Sequence, residues 1–172
     1  MTRARLVLAV FVLGCSSAAE PPPAPRPDPS AELAALDPRT PVPLLPRMAA
    51  HQRAQMRDHL LVVQEVTDAL GRDDLEAAAS AASRLGTSDS MTAMCTHMGA
   101  GAPGFTERAL EMHRQADAIA LAARSGDRAA TTRALATTLA SCTGCHAAYR
   151  QQIVDEAQWT ALTGAAQPHG AH

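Results

Sequence analysis

The sequence of 172 residues is poor in aromatic side chains, with two Phe, one Tyr and one Trp, although 47% of its residues are hydrophobic. Much of that hydrophobic content is alanine, so aromatic packing cannot fill a core here. A basic excess is also missing, because 15 Lys and Arg residues face 17 Asp and Glu residues. These features argue against nucleic acid as a partner, and the length favours one domain.

The sequence has no apolar run long enough to cross a membrane. Behind Arg3 and Arg5, the first apolar stretch is far shorter than the ~20 residues of a membrane-spanning helix. We interpret residues 1–14 as a cleaved signal peptide. The stretch ends at Gly14 before Cys15, a context that resembles the bacterial lipobox, in which the cysteine is acylated.

The alternative is ordinary cleavage near Ala18 or Ala19, where small residues also fit a peptidase. Under the lipoprotein interpretation, Ser16 and Ser17 follow Cys15 with no aspartate beside it. Resemblance to Gram-negative lipoproteins then implies a location in the outer rather than the inner membrane, on the periplasmic side. The lipid would be the only membrane contact.

Proline is nearly absent outside one segment. Ten of the 12 prolines lie between Pro21 and Pro46. Segment 15–45 is therefore predicted to be a disordered, Pro-rich tether that favours polyproline II. Residues 164–172 are predicted to be a flexible tail.

Beyond Pro46, apolar residues recur at helical spacing, and Gly71 and Gly126 mark stops followed by capping aspartates. The prediction is an all-α domain over 46–163, an antiparallel four-helix bundle. The expected segments are a first helix 46–70, a second 74–85, a polar loop 86–104, a third helix 105–125 and a fourth helix 127–158.

The fourth predicted helix contains Cys142-Thr143-Gly144-Cys145-His146. Cys-x-x-Cys-His is the attachment signature of c-type haem, in which two thioethers hold the porphyrin and the histidine binds the iron. A thioredoxin-like dithiol normally lies in a βαβ unit, and a zinc site needs two further ligands; neither is evident. One covalent haem c, attached to the last helix of the predicted bundle, is therefore the predicted cofactor.

On the fourth predicted helix, core-facing positions form a seam and recur at alternating intervals of four and three residues. The motif occupies two of these positions. We expect the haem to point into the bundle and to fill the core that aromatic side chains do not fill. The residues of this seam are Leu135, Leu139, Cys142, His146, Tyr149 and Ile153.

The pattern Cys-x-x-Cys-His-x-x-aromatic-basic, near the end of a bundle helix, resembles the cytochrome c-prime family and its low-spin relatives. Tyr149 and Arg150 occupy the aromatic and basic positions. The resemblance implies that Arg150 lies near the proximal side of the haem, one turn beyond His146. A solvated surface arginine is the alternative.

A second cluster of soft ligands runs from Met91 to Met98 and includes Cys95 and His97. Sulfur ligands with a histidine suit Cu(I), so a copper-handling lipoprotein is one functional hypothesis. The alternative is that these side chains are adaptable apolar filler around the haem, with Cys95 a buried inert thiol.

On the family pattern, the sixth iron ligand comes from the first helix. Met56 is the candidate because it lies at the centre of the predicted apolar stripe, with His59 about 60° and Met48 about 80° to one side. Positions along the bundle axis can be counted from the predicted helix ends. On this count Met56 and Met48 each lie four residues from the height of His146, and His59 lies further away. Met98 is a further alternative.

Three functions are compatible with these features. The first is one-electron transfer to periplasmic redox partners, which needs no substrate pocket or catalytic pair, so the protein is expected not to be an enzyme. The second is binding of a diatomic gas such as NO or CO at an open sixth position. The third is copper handling. A homodimer is possible, since related bundles often pair.

Overall fold

A computed structural model of the protein describes residues 28–164. The predicted signal peptide, lipobox, acylated Cys15 and most of the predicted tail lie outside the described residues. The described part divides into two compact units, the first ending at Asp37 and the second starting at Pro38. No helix in the range 28–164 is both long and apolar enough to cross a membrane.

In the first unit, α1 spans Pro29–Leu36. The Asp28 side chain accepts a hydrogen bond from the Ser30 N–H at 2.9 Å, and Pro29 occupies the first turn, where its missing N–H costs nothing. None of the residues of α1 is buried. The tether prediction is therefore wrong over these residues, because a capped run of helix-forming Ala, Leu and Glu forms a helix.

The second unit is dominated by helices, so the predicted all-α fold is confirmed. The four arms of the bundle are α2, then α3 with α4, then α5, then α6. Their bounds are α2 Pro46–Gly71, α3 Leu75–Ser83, α4 Asp89–Gly99, α5 Phe105–Arg124 and α6 Arg128–Ala148.

The helix starts follow the capping signals of the sequence. The side chains of Asp74 and Asp127 each accept a hydrogen bond from the backbone N–H of the residue three positions later. These two caps mark the starts of α3 and α6. The prediction of a polar loop over 86–104 is wrong, because Ser88 caps α4 through the Met91 N–H at 3.1 Å. Its packing face repeats Met91, Cys95 and Met98 at helical spacing.

The fourth predicted helix, 127–158, is shorter than expected. It ends at Ala148, and the chain continues as β2, Tyr149–Ile153, and then α7, Glu156–Thr163. A capping box between Asp155 and Gln158 begins α7. The haem motif therefore lies on α6, which is not the last helix.

The cause of this break is strand β1, Thr40–Leu44, which pairs with β2 in parallel. Thr40 lies opposite Tyr149 and Leu44 opposite Ile153, and the Val154 N–H extends the ladder to the Leu44 carbonyl at 3.0 Å. Val42 and Leu44 are buried. The folded domain therefore begins ahead of residue 46, because part of the Pro-rich segment supplies an edge strand, where prolines are tolerated.

The main core lies between α2, α3, α5 and α6 and is rich in alanine. Two predicted stripes are only partly correct. On α2, Ala49, Val66 and Leu70 are buried, whereas Met56 is 36% and Leu60 68% exposed. On the seam from α6 onward, Leu135 is buried but Leu139, His146 and Ile153 are exposed.

Candidate functional site

The haem motif occupies the last two turns of α6. The spacing of Cys142, Cys145 and His146 places all three on one side of the helix. Both cysteines are half-buried and His146 is exposed. Cys142 packs against the main core, and Cys145 packs against a second cluster that contains Phe105 and Leu44. The two thiols therefore line a boundary between two packed regions.

Burial raises the pKa of the thiols of both Cys142 and Cys145. For Cys145 the positive charge of Arg108 opposes this effect. The raised pKa lowers the fraction of reactive thiolate at both positions. All three cysteines in the described range, these two and the buried Cys95, are free.

The orientation of α2 follows from its ion pair with α3. Glu65 pairs with Arg84, so the Glu65 flank of α2 faces α3. Met56 lies nine residues earlier, which at about 100° per residue is the opposite flank. Leu60 and Val63 lie on the Met56 side as well. These three residues therefore face the other neighbour of α2 in the bundle, helix α6.

The orientation of α6 follows from its contact with α5. The Ser141 hydroxyl donates to the side-chain oxygen of Gln115 on α5. Leu139 and His146 are seven residues apart and lie about 150° round the helix from Ser141. They therefore face away from α5 and toward α2.

From these orientations we infer a cleft between the two helices, which we call the α2–α6 cleft and define by Met56, Leu60, Val63, Leu139, Cys142 and His146. Helices α5 and α6 pack closely, whereas α2 and α6 barely touch. Large apolar side chains line the cleft yet remain exposed, namely Leu60 at 68%, Leu139 at 39% and Met56 at 36%. A flat apolar group bonded to the two thiols would cover them, so the residues present fit a covalent haem. The motif points only partly into the core, because Cys142 and Cys145 pack against the two buried clusters whereas His146 is exposed.

Two contacts fix the relative height of the antiparallel helices α2 and α6. At one end Arg128 donates to Asp73 at 3.3 Å, and at the other Gln151 donates to Gln52 at 2.6 Å. At about 1.5 Å per helical residue, the first contact places His146 level with residue 55. The second contact allows for the larger rise per residue in β2. It places His146 level with about residue 59 of α2 at most. Met56 lies within this span.

The other sixth-ligand candidates lie elsewhere. His59 turns toward the core, where its ring meets His113 edge-on at a centroid distance of 5.4 Å. Met98 is buried beside Phe105, and Met48 packs between that cluster and Trp159. Of the four candidates, Met56 is the one that lies both on the cleft-facing flank and at the height of His146.

His113 is a site residue that sequence reasoning missed. It is 2% exposed, and its Nδ1 lies 2.7 Å from the Leu85 carbonyl oxygen. The Nδ1–H donates to that carbonyl. Burial lowers the pKa of His59 to about 4, and the neighbouring His113 adds a smaller contribution in the same direction.

The stability of the protein is expected to fall on acidification because of His59. Its folded pKa of about 4 lies below the unfolded value of 6.5. The unfolded chain therefore binds the extra proton between these values, and the free energy of unfolding decreases as the pH falls from 6.5 to about 4, by roughly 3 kcal/mol in total.

Urea unfolding of the haem-loaded protein at pH 7 and pH 4.5 measures this decrease, with His59→Gln as the comparison. The variant should lose less stability than the parent between the two pH values. An equal loss in both proteins would contradict the assignment to His59.

Tyr149 and Arg150, the aromatic and basic residues of the extended pattern, lie in β2 rather than in a helix. The Tyr149 hydroxyl donates to the Pro103 carbonyl at 2.8 Å, and its ring meets Phe105 edge-on at 5.3 Å. Arg150 is half-buried opposite Pro41. The implied position of Arg150 one helical turn beyond His146 is therefore wrong, because α6 has ended.

The Met91–Met98 cluster is not gathered into one metal site. Cys95 and Met98 are buried in the packing face of α4, whereas His97 is exposed beside Trp159 at a ring-centroid distance of 5.5 Å. Burial raises the pKa of the Cys95 thiol. Among residues 28–164, no group of three or more His, Cys, Asp and Glu side chains could hold a metal ion. This arrangement favours apolar filler over a copper centre.

The site thus defines a haem c cytochrome: a helix that presents Cys-x-x-Cys-His beside an apolar cleft. Residues 86–150 match the family model described as Cytochrome C'. This segment, which contains the haem motif, is therefore similar to the cytochrome c′ family. Members of this family carry covalent haem c and are generally exported to the periplasm. No curated protein and no solved structure matches the chain.

Proposed function

We propose that the protein is a monohaem cytochrome that carries one electron at a time in the periplasm and is not an enzyme. The observation that supports the proposal is the pair of contacts between Arg128 and Asp73 and between Gln151 and Gln52, from which Met56 falls within the span of height that contains His146. A methionine and a histidine on opposite sides of a haem give a low-spin iron with a raised potential, which suits electron transfer.

Each residue of the cleft has a separate task. Cys142 and Cys145 would hold the porphyrin by thioether bonds, and His146 would bind the iron. Met56 would supply a second iron ligand, and Leu60 and Leu139 would exclude water from the ring. The haem supplies a metal centre whose charge changes by one electron.

The exposure of the cleft also suits this function. His146 is exposed and Leu139 is 39% exposed, so the site lies at the surface rather than deep in the bundle. A redox partner protein could approach an edge of the ring without any movement of the helices. Electron transfer needs this short approach and no enclosed substrate chamber.

We further propose that Cys15 carries a lipid and that the protein is attached to the outer membrane by this lipid alone. The sequence context Val12-Leu13-Gly14-Cys15 supports the proposal. Mass spectrometry of the exported protein tests it. A mature chain that starts at Cys15 with added acyl mass is expected, whereas a start near Ala18 would contradict it.

Optical spectra of the oxidised and reduced protein, produced with a cytochrome maturation system, test the electron-transfer proposal. The expected result is covalent haem with low-spin spectra in both states and no binding of CO after reduction. Covalent haem that is high-spin and binds CO would instead support a gas-binding role. Failure to attach haem would overturn both functions.

A further inference from the structure

Residues 39–44, which we call the proximal strap, lie directly against the chain that follows the iron-binding motif. The strap consists of Arg39 and strand β1. Its main chain runs parallel to β2 through the register Thr40–Tyr149 to Leu44–Ile153. Leu44 is 0% exposed and anchors the strap in the cluster against which Cys145 packs.

Arg39 at the start of the strap reaches the end of α6. Its Nη1 donates to the His146 carbonyl oxygen at 3.1 Å and lies 3.5 Å from the Tyr149 carbonyl oxygen. The last carbonyls of a helix have no partner within the helix and carry partial negative charge. The guanidinium therefore satisfies and neutralises the backbone of the same residue that carries the iron-binding imidazole.

This contact matters because α6 ends so soon after the motif. Only Ala147 and Ala148 separate His146 from the end of the helix. The helical bond that closes this end runs from the Tyr149 N–H to the Cys145 carbonyl. Terminal turns fray when their carbonyls are not capped, so the direction of the His146 side chain depends on what holds its backbone.

We propose that Arg39 is a positioning residue for the proximal ligand: it fixes the last turn of α6 through the His146 carbonyl and places a positive charge on the proximal side of the haem. The proposal rests on the proposed role of His146 as the iron ligand. It predicts that Arg39 raises the reduction potential, because a nearby positive charge favours the reduced iron.

The test compares three variants of the full-length, haem-loaded protein. Arg39→Gln removes the charge, Arg39→Lys keeps it without the forked geometry, and Arg133→Gln removes the charge of an exposed arginine earlier on α6. At low salt, Arg39→Gln should change the ratio of oxidised to reduced protein at a fixed applied potential by about threefold, the size expected for the loss of one partly screened nearby charge.

Arg133→Gln should leave that ratio unchanged, and Arg39→Lys should retain most of the parent value. Hydrogen exchange of the amides at the end of α6 is the second measurement. It should be faster in Arg39→Gln than in Arg133→Gln, because only the former loses the contact with the His146 carbonyl.

Equal potentials in Arg39→Gln and Arg133→Gln would overturn the electrostatic part of the proposal, and equal exchange rates would overturn the positioning part. A loss of thermal stability alone, with both measurements unchanged, would assign the strap a purely structural role. Failure of the parent to attach haem or to use His146 would contradict the proposed function instead.

Discussion

Replacing both Cys142 and Cys145 with alanine is expected to abolish haem attachment and to lower thermal stability sharply. The thiols are the covalent link, so the purified variant should show no haem stain after denaturing electrophoresis. The cleft also loses its cover. Leu60, Leu139 and Met56 would stay exposed at 68%, 39% and 36%.

The size of the stability loss follows from the surface that the haem would cover. Burial of a large aliphatic side chain contributes ~1.5–3 kcal/mol, so three partly exposed ones amount to roughly 4 kcal/mol. In a chain of this size that corresponds to a decrease in Tm of about 10 °C or more. Circular dichroism during heating measures it.

Cys95→Ala is the matched control for the double variant. Cys95 is also a thiol in the helical domain, but it is 8% exposed on α4 and lies outside the α2–α6 cleft. This variant should keep its haem and lose only the small free energy of one buried sulfur. A double variant with full haem content and unchanged Tm would show that the cleft is not the haem site.

The features predictable from the sequence are those that depend on neighbouring residues. Asp74 and Asp127 mark helix starts because a cap acts over three residues, and the haem motif is recognisable because its thiols and imidazole lie within one helical turn or so. The Ser88 cap of α4 carried a similar local signal, but glycines and polar residues around it favoured a loop.

The features that the sequence did not predict depend on distant partners. Arg39 contacts the His146 carbonyl across 107 positions of the chain, and nothing near Arg39 indicates that contact. Strand β2 exists because β1 supplies its partner, so the helical pattern that continued through Ile153 was overridden by long-range pairing.

The prediction that the apolar stripe of α2 is buried was partly wrong for a different reason. Periodicity separates apolar from polar faces, but it does not distinguish a face covered by protein from a face covered by a cofactor. Met56 and Leu60 belong to the apolar face by sequence, yet they line an open cleft in the folded chain. Their exposure beside the haem motif supports a covering group at this place.

Replacing Met56 with alanine is expected to open the sixth coordination position. In the oxidised parent, a thioether on the iron gives a weak long-wavelength charge-transfer band, which the variant should lose. Its iron should become high-spin, the reduced form should bind CO, and the potential should fall, because the thioether favours reduced iron. Covalent haem content should be unchanged, since Met56 is not an attachment residue.

Met94→Ala is the matched control, because Met94 is also 36% exposed but lies on α4, outside the cleft. It should leave the sulfur band, the spin state and the CO response of the parent intact. If the band persists in Met56→Ala, the ligand is Met48 or Met98, and the height argument from the Arg128–Asp73 and Gln151–Gln52 contacts is wrong. If the parent itself lacks the band and binds CO, Met56 only packs against the distal face, and the open iron site identifies the protein as a gas binder.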